Sequence, residues 1–266
     1  MIKEFKTGTN QVIPFDYLQA LVVKAANAIL AVYNDEDRMK QVIFKKDDSP
    51  VTLADRASHE IIASGLHALT PDIPVMSEEG ATTPYAIRRH WENFWCVDPL
   101  DGTKEFLRRN GEFTINIALI HKQEPVMGII YVPVSHTLYC GCPQSGSWKI
   151  RKGDAAIRIH ADNDAREWIA VGSRSHASPE EEKIITQYPV AKKIFAGSAL
   201  KFCLIAEGAA HFYYRHGPTM EWDTAAGHAI VESSGGKFSM PSGGPFLYNK
   251  ESLVNGSFIC SIDQTS

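Results

Sequence analysis

Two carboxylates follow an apolar stretch near the middle of the chain. Residues 94–97 favour a buried strand, and Pro99, which cannot donate to a β-ladder, is expected at or beyond the end of that strand. Asp98 and Asp101 therefore lie three residues apart around a proline turn, where their oxygens can converge on a small volume. Because like charges repel there, this spacing favours a hard divalent cation between the two acids.

Gly102 and Thr103 come directly after these acids and could begin a helix. The free amide groups of a helix N-terminus would face the same volume and could hold phosphate oxygens. The alternative is that Asp98 and Asp101 only cap a turn and the next helix, which is the more common role of an isolated pair of this kind. Other segments are needed to choose between a metal and phosphate site and a simple turn.

Two further segments bring an acid to the end of a secondary-structure element. Glu78 follows a short strand predicted at 75–76. Asp223 opens a helix that is predicted to run through Val231 and to stop at the following glycine pair. Taken singly, Glu78 is a strand end and Asp223 is an ordinary N-cap.

Basic and polar residues in the second half of the chain could bind an anion. Ser198 and Lys201 stand at the predicted start of a helix, where backbone amides and a lysine together form a weak anion cradle. Arg174 and His176 follow a predicted strand and could meet an anionic or aromatic ligand. A plain polar loop explains Arg174 and His176 equally well.

Hydrophobic periodicity predicts two helices in the first quarter of the chain. Apolar residues recur every three or four positions over 18–33 and again over 57–69, so both helices should cover a sheet. Thr52 and Asp55 have the spacing of a capping pair at the start of the second helix. A cap is therefore the ordinary role expected for Asp55.

Strand-like runs fill the middle of the chain, whereas strands and helices alternate towards its end. The middle predicts an antiparallel or mixed sheet with helices packed outside it. The charged, turn-rich composition of 149–165 predicts a boundary near residue 155, which divides 1–155 from 156–266. The strands predicted in the middle are 113–120, 126–134 and 137–142; beyond the boundary we predict strands at 168–172, 193–196 and 211–215 and helices at 179–187 and 198–207.

Composition and motifs exclude several classes of protein. With 44% hydrophobic and 22% charged residues and a net charge of -4, the 266-residue chain is typical of a globular protein and does not favour nucleic-acid binding through bulk charge. Five scattered cysteines favour reduced thiols over a disulfide framework.

We expect neither a signal peptide nor a membrane anchor, because residues 1–14 are polar and no apolar run approaches about 18 residues. Nucleophile-elbow, zinc-protease, Walker A and dinucleotide-binding motifs are missing from the sequence.

The acidic segments, in this order and spacing, resemble the magnesium-dependent, lithium-sensitive phosphatases of the inositol monophosphatase superfamily. Within that superfamily, other segments look like those of the CysQ-type 3′(2′),5′-bisphosphate nucleotidases. The resemblance spans nearly the whole chain and shows no departure at the positions where the superfamily places metal ligands. The acidic segments are 77–79, 98–103 and 222–227, and the segments that indicate the nucleotidases are 103–106, 110–114 and 198–208.

The resemblance implies a site for two Mg²⁺ ions, with a third left open. Glu78, Asp98 and the backbone carbonyl of Leu100 would hold one ion, and Asp98, Asp101 and Asp223 would hold the second. The charges agree with this assignment, because four carboxylates balance two divalent ions and the neutral cluster can then accept a phosphate dianion.

The resemblance also implies roles in catalysis and in substrate binding. Glu78 or the Thr103 hydroxyl would accept a proton from the attacking water, and Asp55 would orient Thr103 through a hydrogen bond. Lys201 and Arg174 would bind a second phosphate, with His176 near the adenosine. The full set of predicted substrate contacts is Glu78, Leu100, Asp101, Gly102, Thr103, Arg174, His176, Ser198, Lys201 and Asp223.

The fold implied by the resemblance is a layered αβαβα sandwich, with an α+β N-terminal part and an α/β C-terminal part. The implied reaction is hydrolysis of adenosine 3′,5′-bisphosphate to AMP and phosphate, with 3′-phosphoadenosine 5′-phosphosulfate as a second substrate, in the sulfur assimilation of the cytoplasm. Peripheral association with the inner face of the cell membrane and the oligomeric state stay open. The alternatives are a phosphatase for polyol or sugar phosphates and a catalytically silent regulator that binds metal or phosphate.

Overall fold

The computed structural model of the protein describes residues 4–6, 12–39, 41–44, 50–174 and 178–263. The helices are α1 (Phe15–Tyr33), α2 (Glu36–Met39), α3 (Leu53–Leu69), α4 (Tyr85–Arg88), α5 (Thr103–Leu107), α6 (Pro179–Ile185), α7 (Leu200–Ala206) and α8 (Glu221–Ser233). The strands are β1 (Glu4–Lys6), β2 (Val12–Pro14), β3 (Val42–Phe44), β4 (Pro50–Thr52), β5 (Val75–Ser77), β6 (Asn93–Asp101), β7 (Thr114–His121), β8 (Glu124–Val132), β9 (Thr137–Cys142), β10 (Gly146–Arg151), β11 (Ile157–Ile159), β12 (Trp168–Ser173), β13 (Val190–Ala196), β14 (Phe212–Arg215), β15 (Thr219–Met220), β16 (Gly236–Ser239), β17 (Val254–Asn255) and β18 (Phe258–Ile262). The helices predicted over 18–33 and from Thr52 onwards are confirmed.

Two larger sheets form the two β layers. The first has the strand order β11-β10-β9-β8-β7-β6-β5 and is antiparallel except for the parallel pair β5–β6. The second has the order β13-β12-β14-β18-β16, with β12 parallel to both of its neighbours. The predicted meander in the middle of the chain and the α/β alternation beyond it are therefore confirmed.

Three hydrophobic clusters separate the layers of the fold. Trp95 and Val97 on β6 pack with the apolar faces of α1 and α3, whereas Phe94 and Cys96 point to the opposite cluster with α7 and α8. This alternation follows from the two-residue period of a strand. The other side of the second sheet packs against α6 through a third cluster. The layers are thus helix, sheet, helix, sheet, helix, as the resemblance implied.

The division near residue 155 stays a prediction. Strand β11 lies beyond that position and still pairs with β10 in the first sheet, at Ile157 with Lys149. The second sheet begins with β12 at Trp168.

Helix α1 is the described segment with the length and composition of a membrane span. Its apolar window has a mean hydropathy of 1.4, although Asp16, Gln19 and Lys24 interrupt any continuous apolar run. The window is 39% buried, and residues such as Leu18 and Val22 pack into the first hydrophobic cluster. The packing of one helix face in the core accounts for the hydropathy of α1.

At Gly128, helix α8 lies so close to β8 that no side chain fits between them. A Cβ atom added at Gly128 would stand 2.3 Å from the carbonyl oxygen of Ala226, a backbone atom that cannot rotate away. We expect Gly128→Ala to lower the free energy of unfolding by about 1–3 kcal/mol through overpacking, measured by urea denaturation. Gly256→Ala is the control, because a Cβ there meets nothing within 4 Å; equal stability of the two variants would contradict this packing.

Candidate active site

Four acids from three parts of the chain line one cavity of about 310 Å³. Glu78 comes directly after β5, Asp98 and Asp101 belong to β6, and Asp223 lies in the first turn of α8. The sequence placed these acids at the ends of three elements, with Asp98 and Asp101 together after one strand, and the fold brings them to a single pocket. The remaining lining residues are Leu100, Gly102, Thr103, Lys104, Glu105, Ser173, Ser198, Lys201, Phe202, Tyr213, Arg215, Pro218, Thr219, Thr224 and Phe258.

An irregularity in β6 aligns Asp98 with Asp101. Asp98 pairs with Asn116 and Asp101 pairs with Thr114, so three steps along β6 match two steps along β7. Residues three apart on a regular strand point to opposite faces, and one extra residue brings them to the same face. The strand was expected to end at or before Pro99, but β6 continues to Asp101, because Pro99 falls within this bulge, where no ladder hydrogen bond is required.

Burial and mutual repulsion disfavour the charged forms of the acids on β6. Burial raises the pKa of Asp98 well above its usual range, and the carboxylates of Glu78 and Asp101 raise it further. Burial also raises the pKa of Asp101 to about 6, although Lys201 and a hydrogen bond from Asn116 oppose that shift. A cation in this cavity would relieve the repulsion between the acids.

Asp223 is held in place by the backbone at the start of α8. Its Oδ2 atom accepts a hydrogen bond from the amide of Met220 at 2.8 Å. Asp223 is the third residue of α8, so its predicted place as the opening residue of the helix is wrong; the helix begins at Glu221. Burial, followed by the charge of Asp101, raises the pKa of Asp223 to about 8.

Asp55 serves as a helix cap and also faces Thr103. Its Oδ2 atom accepts hydrogen bonds from the amide and the hydroxyl of Thr52, at 2.7 and 2.6 Å, which confirms the predicted capping pair. Its Oδ1 atom lies 3.5 Å from the Thr103 hydroxyl, at the outer limit of a hydrogen bond. Burial raises the pKa of Asp55 to about 6, against the effect of the hydrogen bonds from Thr52.

The turn between β6 and α5 requires a glycine. Gly102 has a φ of +89°, which favours glycine, and a Cβ atom there would lie 3.1 Å from the Cβ of Ser198. Thr103 then begins α5 and faces the cavity with Gly102. The helix start predicted near Thr103 is confirmed.

The donor chemistry of the cavity fits Mg²⁺. Glu78, Asp98, Asp101 and Asp223 supply carboxylate oxygens, which are the ligands that hard divalent cations prefer. Within the described ranges, no three His, Cys, Asp or Glu side chains are already gathered closely enough to hold a metal ion. The fit therefore rests on the type, charge and shared cavity of these four acids.

Lys201 supplies a buried positive charge on the cavity wall. Its side chain donates a hydrogen bond from Nζ to the carbonyl oxygen of Ser198 at 2.5 Å and lies over the ring of Tyr213. Burial lowers the pKa of Lys201, and the charge of Asp101 opposes that shift. The structure thus places both Ser198 and Lys201 beside the predicted metal ligands.

The structure does not bring Arg174 to the cavity. Its guanidinium donates two hydrogen bonds of 2.7 Å to the carboxylate of Glu112 and one of 2.9 Å to the carbonyl of Phe195. Glu112 and Phe195 accept from Nε and Nη2, and Arg174 is not among the residues that line the cavity, so direct binding of a phosphate by Arg174 stays a prediction. His176 lies outside the described residues.

Arg215 was missed by the sequence reasoning. It ends β14, is buried, lines the cavity and lies 3.5 Å from the carboxylate of Glu181 on α6. Tyr213, two positions earlier on the same strand, points to the same cavity. The two-residue period of a strand, which places alternate residues on one face, could have indicated that Arg215 faces the same way as Tyr213.

Comparison with known proteins identifies a family and relatives to which the chain is similar. The family model of the inositol monophosphatase family matches residues 10–264 of the chain. The 3′(2′),5′-bisphosphate nucleotidase CysQ of Escherichia coli (strain K12) is 45% identical over 249 residues, which are 93% of this chain and 99% of that protein.

Solved structures agree with the fold. The structure of CysQ from Bacteroides thetaiotaomicron, a bacterial member of the inositol monophosphatase family, has a TM-score of 0.81 at 41% identity and covers 93% of this chain and 97% of that one. The IMPase of Thermotoga maritima has a TM-score of 0.75 at 23% identity, over 92% of this chain and 91% of that one, and shows similarity of fold alone.

Proposed function

The chain belongs to the inositol monophosphatase family, and from that premise we propose that it is a metal-dependent phosphatase that converts adenosine 3′,5′-bisphosphate to AMP and phosphate. Relatives at 45% identity over 93% of the chain are bisphosphate nucleotidases. One observation carries the proposal: a single cavity holds four acids beside two buried cations, Lys201 and Arg215. The acids suit metal and a transferred phosphate, and the cations suit a second phosphate.

The proposed metal ligands are the acids of the cavity and one carbonyl. Glu78, Asp98 and the Leu100 carbonyl would hold one Mg²⁺, and Asp98, Asp101 and Asp223 would hold another, with a third ion as the open alternative. Bound Mg²⁺ would neutralise the carboxylates, orient the phosphate and make a bound water more acidic. All four acids line the described cavity, which supports the assignment.

Thr103 and Asp55 are proposed to prepare the attacking water. The Thr103 hydroxyl donates towards Asp55 Oδ1, so a lone pair on Thr103 Oγ1 is left to accept a hydrogen bond from water in the cavity. As Thr103 Oγ1 takes a proton from that water, the hydroxyl proton of Thr103 would pass to the Asp55 carboxylate. The hydrogen bonds from Thr52 hold the Asp55 carboxylate in place, and they therefore fix the direction of the hydrogen bond from Thr103 to Asp55. Amides of Gly102 and Thr103 would bind the phosphate oxygens. Glu78 is the alternative proton acceptor.

A second phosphate on the substrate is proposed to lie against Lys201 and Arg215. Both side chains are largely buried, so solvent screens their attraction for a phosphate less than it would at an exposed site. A nucleotide bisphosphate supplies one phosphate for the acids and their metal ions and a second phosphate for Lys201 and Arg215. The phosphosulfate analogue, which carries a longer anionic group, is the proposed second substrate. A polyol monophosphate carries no second phosphate for Lys201 and Arg215 to bind.

A phosphate-release panel tests this function against its alternatives. The substrates are adenosine 3′,5′-bisphosphate, inositol 1-phosphate and fructose 1,6-bisphosphate, each with and without Mg²⁺ and with added Li⁺. We expect Mg²⁺-dependent, Li⁺-inhibited release that is fastest from the adenosine bisphosphate. Preference for inositol 1-phosphate would instead support a polyol phosphatase, and no release from any substrate would support a silent regulator.

Mg²⁺ should also stabilise the folded protein. A ligand that binds only the folded state raises its stability by about 2.7 kcal/mol at a hundred times its Kd. Asp223 would be the only metal ligand from beyond residue 155, so the ion should join the two halves of the chain. We expect the melting temperature to rise in millimolar MgCl₂ compared with NaCl of equal ionic strength; an unchanged value would argue against this linkage.

The proposed setting is sulfur assimilation in the cytoplasm, where reduced cysteines persist. All five cysteines are free and buried in the structure. Association with the inner face of the membrane stays a prediction, and cell fractionation would test it.

A further inference from the structure

Glu112 joins the two halves of the molecule behind the cavity. Its Oε2 atom accepts hydrogen bonds from Arg174 Nε at 2.7 Å and from the amide of Gly197 at 2.8 Å, and its Oε1 atom accepts one from Arg174 Nη2 at 2.7 Å. Its backbone carbonyl accepts a further hydrogen bond from the Ser198 hydroxyl at 2.8 Å. Glu112 thus binds the turn 197–198 through both its side chain and its backbone.

This turn packs tightly between Glu105 and Glu112 on one side and Gly102, a proposed phosphate-binding residue, on the other. A Cβ atom at Gly197 would lie 2.7 Å from Cγ of Glu105 and 2.9 Å from the carbonyl oxygen of Glu112. On the other side, a Cβ atom at Gly102 would lie 3.1 Å from the Cβ of Ser198, so the turn is in tight contact with Gly102. Ser198 also adopts a φ of +42°, which a serine holds only when its surroundings impose it.

The position of the turn 197–198 determines where the side chain of Lys201 is held. The Ser198 carbonyl accepts the hydrogen bond from Lys201 Nζ, so a shift of the turn moves the acceptor that orients the ammonium group. Because Lys201 is buried, it has little freedom to find another partner. Glu112 therefore acts on the cavity through Ser198 and Lys201.

We propose that Glu112 is a positioning residue for substrate selection, which holds the turn 197–198 so that Lys201 meets the second phosphate of a nucleotide bisphosphate. The inference rests on the proposed function, because it needs a substrate with two phosphates. Arg174 then contributes by neutralising Glu112 and fixing its carboxylate, instead of contacting the substrate.

The direction in which KM changes when Glu112 is replaced distinguishes a positioning role from a purely electrostatic one. Removing a carboxylate from the vicinity of the cavity lowers repulsion, so charge alone predicts tighter binding of an anionic substrate and a lower KM. A positioning role predicts the reverse, because the loosened turn misplaces the ammonium of Lys201. The effect should also be confined to substrates that carry the second phosphate.

The experiment measures kcat and KM of Glu112→Ala and Glu112→Gln for adenosine 3′,5′-bisphosphate and adenosine 3′-monophosphate. We expect Glu112→Ala to raise KM for the bisphosphate about tenfold or more, since small displacements of positioned groups have effects of that size, with KM for the monophosphate changed less than about twofold. Glu112→Gln should give a smaller rise, because its amide oxygen still accepts from Gly197. Melting temperatures show whether each variant is folded.

Matched controls separate this role from general damage. Glu207→Gln breaks a comparable ion pair with Lys149 outside the cavity lining and should leave both KM values unchanged. Gly197→Ala displaces the same turn without changing charge, and it should reproduce the selective rise in KM.

Failure of the inference is distinct from failure of the proposed function. If the wild-type enzyme releases phosphate from neither adenosine substrate, the proposed function is wrong. If the wild type prefers the bisphosphate but Glu112→Ala leaves KM unchanged or lowers it, Glu112 does not position Lys201. If Arg174→Ala raises KM for the bisphosphate as much in the Glu112→Ala background as in the wild type, Arg174 acts independently of Glu112 as a direct ligand, and the inference is overturned.

Discussion

Asp101→Asn is expected to abolish metal-dependent phosphate release while leaving the protein folded. Asp101 shares the cavity with Asp98 and Asp223, and the amide keeps its shape but not the charge that a cation requires. We expect kcat to fall by at least about a thousandfold, which corresponds to roughly 4 kcal/mol of transition-state stabilisation. The measurement is phosphate release from adenosine 3′,5′-bisphosphate in saturating Mg²⁺.

The stability of the same variant provides the control for folding. Burial disfavours the Asp101 carboxylate, so its loss should not lower the melting temperature in EDTA, and the hydrogen bond from Asn116 can still be accepted. The stabilisation by Mg²⁺ should shrink or disappear. Asp72→Asn makes the same chemical change at an exposed turn and should keep full activity. Retained turnover by Asp101→Asn would refute its assignment as a metal ligand.

Lys201→Ala is expected to raise KM for the bisphosphate far more than for adenosine 3′-monophosphate. A charge-assisted hydrogen bond contributes roughly 1.5–3 kcal/mol, so the loss of one to the second phosphate should raise KM about ten- to hundredfold. The monophosphate lacks the group that Lys201 would contact. Steady-state kinetics with both substrates would measure the difference.

Lys201→Met distinguishes the loss of charge from the loss of packing. Methionine keeps most of the buried side chain against Tyr213 but carries no ammonium group. If charge is responsible, the methionine and alanine variants should show the same selective rise in KM. An equal rise in KM for both substrates, in either variant, would show that Lys201 does not bind the second phosphate.

Much of the fold was predictable because its elements are locally encoded. The apolar stripe of α1 follows the helical period, and the cap formed by Thr52 and Asp55 involves residues only three apart. Strand β6 was recognisable from its aromatic and apolar residues, yet its end was placed too early. The bulge that carries Pro99 depends on the register with β7, which no local pattern reports.

The sequence by itself indicated which acids could bind a metal, because Glu78, Asp98, Asp101 and Asp223 each stand at the end or start of a recognisable element and their order and spacing resemble those of a known family. Only the tertiary structure decided that these acids share one cavity, and which cations accompany them. Arg174 and Arg215 look alike in the sequence, but one is bound by Glu112 behind the turn 197–198 and the other faces the cavity. The physical reason is that the direction of an arginine depends on partners far away in the chain, and those partners are set by how the two sheets and α6–α8 pack.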